Sequence, residues 1–557
     1  MLKSNLIASL LLLIATIGRA QPAEPTPAEI KQMLQERVDA TGKGVGIVLG
    51  LIDESGTKII QCGEMGRTNQ TLNGDTLFEI GSVSKVLTAS LLADMVQRGE
   101  VKLDDPVSKY LPTSVHMPTR NGKEITLLDL ATQSSGLPRL PDNLESADER
   151  NPYVDYTVDQ LYEFLSDYNL KRDIGVKYEY SNLGVGLLGH VLALKAGTNY
   201  EALVKERVCR PLGMTNTVVM ITPELKARLA IPHNESGRPV SNWDIVTLAG
   251  AGGLRSTVND MLKFLSANMG VLQSPLTTAM DLAQEAHRPA GGPNMKIGLC
   301  WHINLRHGTE LVWHNGETGG YHSFIGFDKK SKRGVVILSN SANDIDDIGF
   351  HLLNPKFNLA KVEVKKPRNT IALSADALVN YVGVYRLNPA VVFNVRNNGD
   401  QLLVQLTGQS YLEVYPESES EFFYEAVDAQ LTFNKDKQGR ITSLVLHQNG
   451  FDQKAKKISD QPLKQRVAVK LDPKTYDDYV GKYELGLFAE FTIKRSGNNL
   501  LAKLTGQSFL GIFPQSATEF FYKEVEAQLT FEKDANGKVT ALILHQNGID
   551  QKAKKVQ

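Results

Sequence analysis

The chain has 557 residues, 42% of them hydrophobic and 22% charged, and a formal net charge of −1. That length exceeds what one core serves, so two to four domains are expected, and the charge balance offers no electrostatic attraction for nucleic acid or an anionic membrane. Three cysteines (Cys62, Cys209, Cys300) are too few for a disulfide framework, and no His-Glu-x-x-His, Cys-x-x-Cys or Walker pattern calls for a metal or nucleotide cofactor.

Lys3 precedes an apolar run over 6–17, followed by Gly18-Arg19-Ala20 with small residues at both cleavage-site positions. This reads as a secretory signal over 1–20 with cleavage after Ala20, and hence a periplasmic or secreted protein. The run is too short to span a bilayer, so no membrane span is expected after its removal. Thr26 and Pro27 then open a helix with Ile30, Met33, Leu34 and Val38 on one face, stopped by Gly42. A buried strand over 45–52, a turn at 53–56 and a partner over 57–62 form a hairpin. The next helix, 83–98, carries a Leu87, Leu91, Met95 stripe and stops at Gly99. A mostly helical middle follows to about residue 265. Strand patterns return at 296–304, 310–314, 323–327 and 334–338, before a helix over 343–353. Strands at both ends with helices between predict one α+β domain, 21–360, whose antiparallel sheet is completed by distant segments.

Beyond residue 373 the chain is duplicated. Tyr381-Val382-Gly383 recurs as Tyr479-Val480-Gly481, Leu406–Ser410 as Leu504–Ser508, and His447–Gly450 as His545–Gly548, each at an offset of 98 residues. That period suits a small domain copied once. Alternating runs such as Leu403-Val404-Gln405-Leu406, broken by turns at 397–399 and 448–450, predict two tandem all-β antiparallel barrels, 374–458 and 471–557. Linkers at 361–373 and 459–470 separate the three parts.

Three short segments carry chemistry. Ser82 and Lys85 lie three residues apart where a strand turns into a helix, so the amine can reach the hydroxyl. A serine needs a base to become nucleophilic, and a lysine is one when burial lowers its pKa. Tyr180-Ser181-Asn182 follows, then His314-Asn315-Gly316-Glu317-Thr318-Gly319-Gly320 ahead of a strand. Together these resemble the serine β-lactamase and penicillin-binding enzymes, the class C β-lactamase branch above all. Phe78–Lys85 matches that branch's signature, and Tyr180 and Asn182 its second motif. The third slot, usually Lys-Thr-Gly, reads His314-Asn315-Gly316, which is similar to D-aminopeptidases of the same family.

The resemblance implies an antiparallel sheet with helices on both faces and an all-helical lobe, with the site between them. It implies a two-step acyl transfer in which Ser82 attacks a carbonyl and Lys85 takes its proton, alone or with Tyr180. Lys85, and His314 when protonated, would favour a Tyr180 phenolate. Asn182 would orient Lys85 and the substrate, and the Ser82 and Glu317 N–H groups would form the oxyanion hole. His314, Gly316, Glu317 and Thr318 would line the substrate, with no cofactor or metal. The partner would be a small molecule: a β-lactam, a D-amino-acid peptide or an ester. D-aminopeptidase, D,D-carboxypeptidase, esterase and non-turnover penicillin sensor remain the competing functions; the absence of Gly-x-Ser-x-Gly disfavours an α/β-hydrolase.

Several other features read as structural. Gly184-Val185-Gly186-Leu187-Leu188-Gly189 matches a dinucleotide fingerprint but lacks a preceding strand, so close helix packing is favoured. Ala251–Ser256 reads as a turn with a helix cap at Ser256 or Thr257. Trp301 and Trp313 read as core, Trp313 also as a candidate pocket wall. The cysteines read as buried, with a Cys62–Cys300 bridge left open. The repeated Lys-Ala-Lys-Lys ends read as solvated strand edges.

Overall fold

The Thr26 N–H donates to Glu29 Oε2 at 2.7 Å while the Glu29 N–H donates to Thr26 Oγ1 at 3.3 Å, a reciprocal cap that starts helix α1 (Pro27–Thr41). Ile30, Leu34 and Val38 are its buried stripe, and Gly42 ends it at φ +117°. The computed structural model describes residues 25–556, apart from 43, 68–69, 145, 147–149, 363–369 and one- or two-residue gaps in the C-terminal repeats and the segment between them. The signal segment and most of the first linker therefore lie outside the described residues, as do Gly408, Ser410 and residues 449–450 of the repeat motifs.

Ten strands follow in the first domain: β1 (Gly46–Asp53), β2 (Gly56–Gly63), β3 (Leu77–Glu79), β4 (Arg255–Thr257), β5 (Arg288–Pro289), β6 (Met295–Ile297), β7 (His302–Asn304), β8 (Leu311–Glu317), β9 (His322–Asp328) and β10 (Arg333–Ser339). Eight form one antiparallel sheet in the order β2-β1-β10-β9-β8-β7-β6-β5, while β3 and β4 make a separate ribbon. The helices that position the site are α2 (Ser84–Gln97), α3 (Asn182–Ala196), α4 (Val258–Asn268) and α5 (Asp346–Leu353).

Alternation along the central strands divides two cores. Ile47, Leu49 and Leu51 of β1, with Val335 and Ile337 of β10, pack with Ile30 and Leu34 of α1 and with Ile348 and Leu352 of α5. Val48 and Ile52, with Val336 and Leu338, join Leu262 and Leu265 of α4 in the larger core shared with the helical lobe. Both faces are thus covered, as the α+β reading predicts. Gly50 lets α4 approach, since a Cβ there would lie 2.7 Å from Leu262 Cδ1.

The strand predicted over 296–304 is in fact two, β6 and β7. Cys300 adopts φ +59° and donates its N–H to Ala131 O at 2.8 Å, which turns the chain between them. The three cysteines are all unpaired and buried, so no Cys62–Cys300 bridge forms.

Residues 383–459 and 481–555 close into two eight-stranded antiparallel barrels. Their interiors are filled by side chains, including edge-on rings such as Phe422–Phe433 at 5.2 Å and Phe520–Phe531 at 5.3 Å between centroids. In each, tyrosine hydroxyls tie back to the chain, among them Tyr385 to Tyr381 O at 2.7 Å and Tyr483 to Tyr479 O at 2.6 Å. The Lys-Ala-Lys-Lys runs are not edges. Their strands pair on both sides and close the barrels, with Ala455 and Ala553 pointing inward. Lys454 and Lys456 are solvated, but Lys457 lies over the Tyr385 ring at 5.6 Å.

Candidate active site

The site lies where the large sheet runs out of pairing. Strand β7 meets β8 only over Leu311–Trp313, so among the described residues the stretch 314–317 has no strand on that side. A single tight turn, Gly81–Val83, fills the gap between β3 and α2 and carries Ser82. The fit depends on two glycines. Gly81 sits at φ +46°, and a Cβ there would lie 2.7 Å from Glu317 N. A Cβ on Gly316 would run into the Ile80 carbonyl oxygen and lie 2.8 Å from Ser82 N. Ser323 Oγ on β9 donates to Ile80 O at 2.8 Å and pins the turn to the sheet. The Ser82 and Glu317 N–H groups therefore share one open strand edge.

Lys85, one helical turn on, is fully buried. Its Nζ donates to Ser82 Oγ at 2.9 Å, Asn182 Oδ1 at 2.8 Å and Ala251 O at 2.6 Å. Burial pulls the amine down to about 7; Cys300 opposes this slightly and Arg139 adds to it. An amine so placed is about half neutral at pH 7 and already faces the hydroxyl.

Tyr180 lies with its ring 4.8 Å from Lys85 Nζ, and its hydroxyl meets Ser82. Burial pushes this phenol well above its ordinary value despite the Ser82 hydrogen bond and nearby Arg139. The structure does not support the expected phenolate: burial outweighs the nearby cations, and His314 does not add to them. The His314 imidazole is buried, and burial, with His302 and Lys85 beside it, holds it far below the usual histidine range. His302, 5.0 Å away ring to ring, is likewise held neutral by burial, down to about 4, and bonds Tyr178 Oη at 2.9 Å. Trp313 packs against Phe324 and Phe350 behind the strand, in the second core.

Behind Ser82 lies a buried ionic support. Glu79, within the first motif, accepts from Arg255 at 3.3 Å, from Asn242 Nδ2 at 2.9 Å and from the Trp243 N–H at 3.0 Å. The Thr318 hydroxyl also turns to Glu79, so this residue is buried beneath the strand end. Gly319 admits Trp243, whose Nε1 would lie 2.7 Å from a Cβ there. Gly186 and Gly189 of α3 serve close packing, against Leu248 and Gly250, so the dinucleotide fingerprint is a packing surface. Thr257 caps α4 as expected, accepting from the Asp260 N–H.

The structure thus brings Ser82, Lys85, Tyr180, Asn182, His314, Gly316 and Glu317 together. It adds Ala251, Ser323, His302, Tyr178 and Arg139, which no motif marked. Ala251 acts through its carbonyl, and any residue supplies that group, so sequence carries no sign of it. His302 alone left a trace, as a polar residue in an apolar strand.

The beta-lactamase family model matches residues 31–351. The chain belongs to the beta-lactamase family. A domain of unknown function, DUF3471, matches twice, over 367–462 and 465–556, which span the two barrels. The family portion is 32% identical over 270 residues to the D-alanyl-D-alanine-carboxypeptidase/endopeptidase AmpH of Escherichia coli (strain K12), covering 47% of this chain and 69% of that protein. It is 28% identical over 305 residues to a beta-lactamase of the same organism, covering 49% and 77%. A crystal structure of a beta-lactamase/D-alanine carboxypeptidase from Yersinia pestis, complexed with citrate, superposes with a TM-score of 0.51 at 26% identity, covering 57% of this chain and 92% of that one. Membership makes the protein a serine hydrolase of this family.

Proposed function

We propose that the chain is an exported acyl-serine hydrolase of class C β-lactamase type, opening the amide bond of β-lactams or D-alanyl peptides. The observation that carries this is the neutral-prone Lys85 amine, 2.9 Å from Ser82 Oγ. As Ser82 Oγ bonds to the substrate carbonyl, Lys85 takes its proton. The oxyanion lies between the Ser82 and Glu317 N–H groups, whose shared edge supports that role. Tyr180, protonated and bonded to Ser82, passes its proton to the leaving nitrogen and recovers one from Lys85. Water then cleaves the acyl-enzyme with the same amine as base. Asn182 holds Lys85 in place. Similarity to AmpH and to the E. coli beta-lactamase supports both substrate classes. Export rests on the signal-like segment 1–20; among the described residues no helix is long and apolar enough to cross a membrane. The reading includes domain limits of 21–360, 374–458 and 471–557, for which the single large sheet and the two closed barrels are the support.

The test incubates wild type and Ser82→Ala with a penicillin, nitrocefin and acetyl-D-alanyl-D-alanine, following intact mass and product. Wild type should form an adduct and release product, and Ser82→Ala neither. Turnover by Ser82→Ala at the wild-type rate would sink the proposal.

A further inference from the structure

Strand β8 ends at Glu317, and the Glu317 N–H lies on the open edge beside the Ser82 turn. Among the described residues no strand pairs with 314–317 on that side, so no ladder bond there sets the direction of this donor. Its aim depends on how the β8–β9 hairpin is held from elsewhere. The hairpin turn is closed by the Thr318 N–H, which donates to Tyr321 O at 3.1 Å. Glu317 pairs with His322 and Asn315 with Phe324. By strand alternation these side chains leave the sheet on the face opposite to that of Gly316, which meets the Ser82 turn.

On that rear face one carboxylate reaches both arms of the hairpin. Asp346 Oδ2 accepts from Asn315 Nδ2 of β8 at 2.6 Å, and Asp346 Oδ1 from His322 Nε2 of β9 at 3.1 Å. The contact is sheltered, with side-chain exposures of 6% for His322 and 17% for Asp346. Burial opposes a charge on His322, yet the bond to Asp346, with Asp344 and Glu317 nearby, raises the imidazole above its ordinary value. Hydrogen bonds to a carboxylate in such a place are among the strong ones. Asp346 opens α5, whose N-cap residue Ile345 offers no side-chain cap, yet both carboxylate oxygens turn to the hairpin. The base of the grip is fixed. Asp347 pairs with Arg37 of α1 and accepts from the Ala360 N–H at 2.7 Å, while Ile348 and Leu352 sit in the second core.

We infer that Asp346 is a positioning residue for the oxyanion site: gripping both arms of the hairpin from behind, its carboxylate sets the direction of the Glu317 N–H. This rests on the acyl-serine reading above, in which that N–H binds the oxyanion. Asp346 acts through the strand and touches no substrate. A donor that turns away loses most against the full oxyanion, which exists only as the bond to Ser82 forms. The grip therefore governs the rate of acylation and leaves the affinity for substrate alone.

The experiment separates binding from acylation in the full chain. Stopped-flow reaction with nitrocefin gives a binding constant and a limiting acylation rate, and phenylboronic acid, which adds to Ser82 Oγ as a tetrahedral anion, reports on the oxyanion site. Asp346→Ala should lower the acylation rate and the boronic-acid affinity by about 10- to 100-fold, less than the outright loss of an oxyanion donor. Nitrocefin binding should stay within about threefold, since the lost interaction belongs to the transition state. Asn315→Ala frees one arm and should show the same split at about 3- to 10-fold, and Asp346→Ala should cost less in that background than alone. Tryptophan fluorescence in urea checks folding, and Asn315→Ala decides the matter if Asp346→Ala does not fold. An unchanged acylation rate, a loss shared equally between binding and rate, or strict additivity of the two variants overturns the inference. If wild type forms no Ser82 adduct with either compound, the acyl-serine reading falls and the grip with it. A wild-type adduct with unaltered variants sinks the grip alone.

Discussion

Acylation of Ser82 is expected to titrate with Lys85. An ordinary lysine has a pKa near 10.4, so about 0.04% of it is neutral at pH 7. Burial of Lys85 brings the value to about 7 and makes about half of it neutral, a gain of about 10³ in available base. The difference corresponds to about 5 kcal/mol between the two protonation states. Because the neutral amine is the reactive form, the acylation rate should climb from pH 5, reach half its plateau near pH 7 and level off by pH 8.5. At pH 6 it should stand at about one-tenth of the plateau. Stopped-flow acylation with a chromogenic cephalosporin, at constant ionic strength from pH 5 to 10, reads this directly. Tyr180→Phe should lower turnover by about 10²–10⁴ yet keep the same midpoint, since Tyr180 is already neutral. A rate still rising at pH 10, or loss of the acid limb in Tyr180→Phe, would refute the reasoning.

Lys85 also bears on stability. Its folded-state pKa lies below its unfolded value, so the penalty is full below about pH 7 and vanishes above about 10.4. Lys85→Met should therefore gain most over wild type at pH 6–7, an advantage shrinking by about 1.4 kcal/mol per pH unit toward pH 10. All three tryptophans, Trp243, Trp301 and Trp313, lie in the first domain, so tryptophan fluorescence in urea follows it selectively. A pH-independent difference would speak against a desolvated amine. Gly316→Ala should cut kcat/KM by about 10² or more by displacing the nucleophile turn, and near-normal kinetics would show the approach is not tight. Glu317→Pro, which removes one N–H, should cost about 10²–10³ in kcat while Glu317→Ala does not; equal losses would remove that N–H from the oxyanion site. Phe433→Ala should cost the first barrel about 3–5 kcal/mol and leave the tryptophan transition in place, checked by circular dichroism beside fluorescence.

Much of the fold was legible because local patterns and burial agree. The alternation of Ile47 to Ile52 feeds two cores, the Thr26–Glu29 cap starts α1, and the 98-residue repeat becomes two barrels. The motif residues of the site were legible for the same reason: Ser82 and Lys85 meet across one helical turn. What escaped depends on distant parts of the chain. Burial of Tyr180 and His314 is set by the α3 start, β7 and β8 together, so neither phenolate nor imidazolium was decidable from residue type. The break at Cys300 requires the Ala131 carbonyl, which lies 169 residues earlier. The Lys-Ala-Lys-Lys strands look like edges until the barrel closes against the first strand of each repeat.

The most direct measurement is peptide mapping by mass spectrometry after brief exposure to a penicillin, in wild type and in Lys85→Arg, whose side chain stays charged at every accessible pH. Activation of the alcohol by an unprotonated amine predicts a penicilloyl group on the Ser82 peptide of wild type and none on the variant. A label on another side chain, or equally fast labelling of Lys85→Arg, would contradict it.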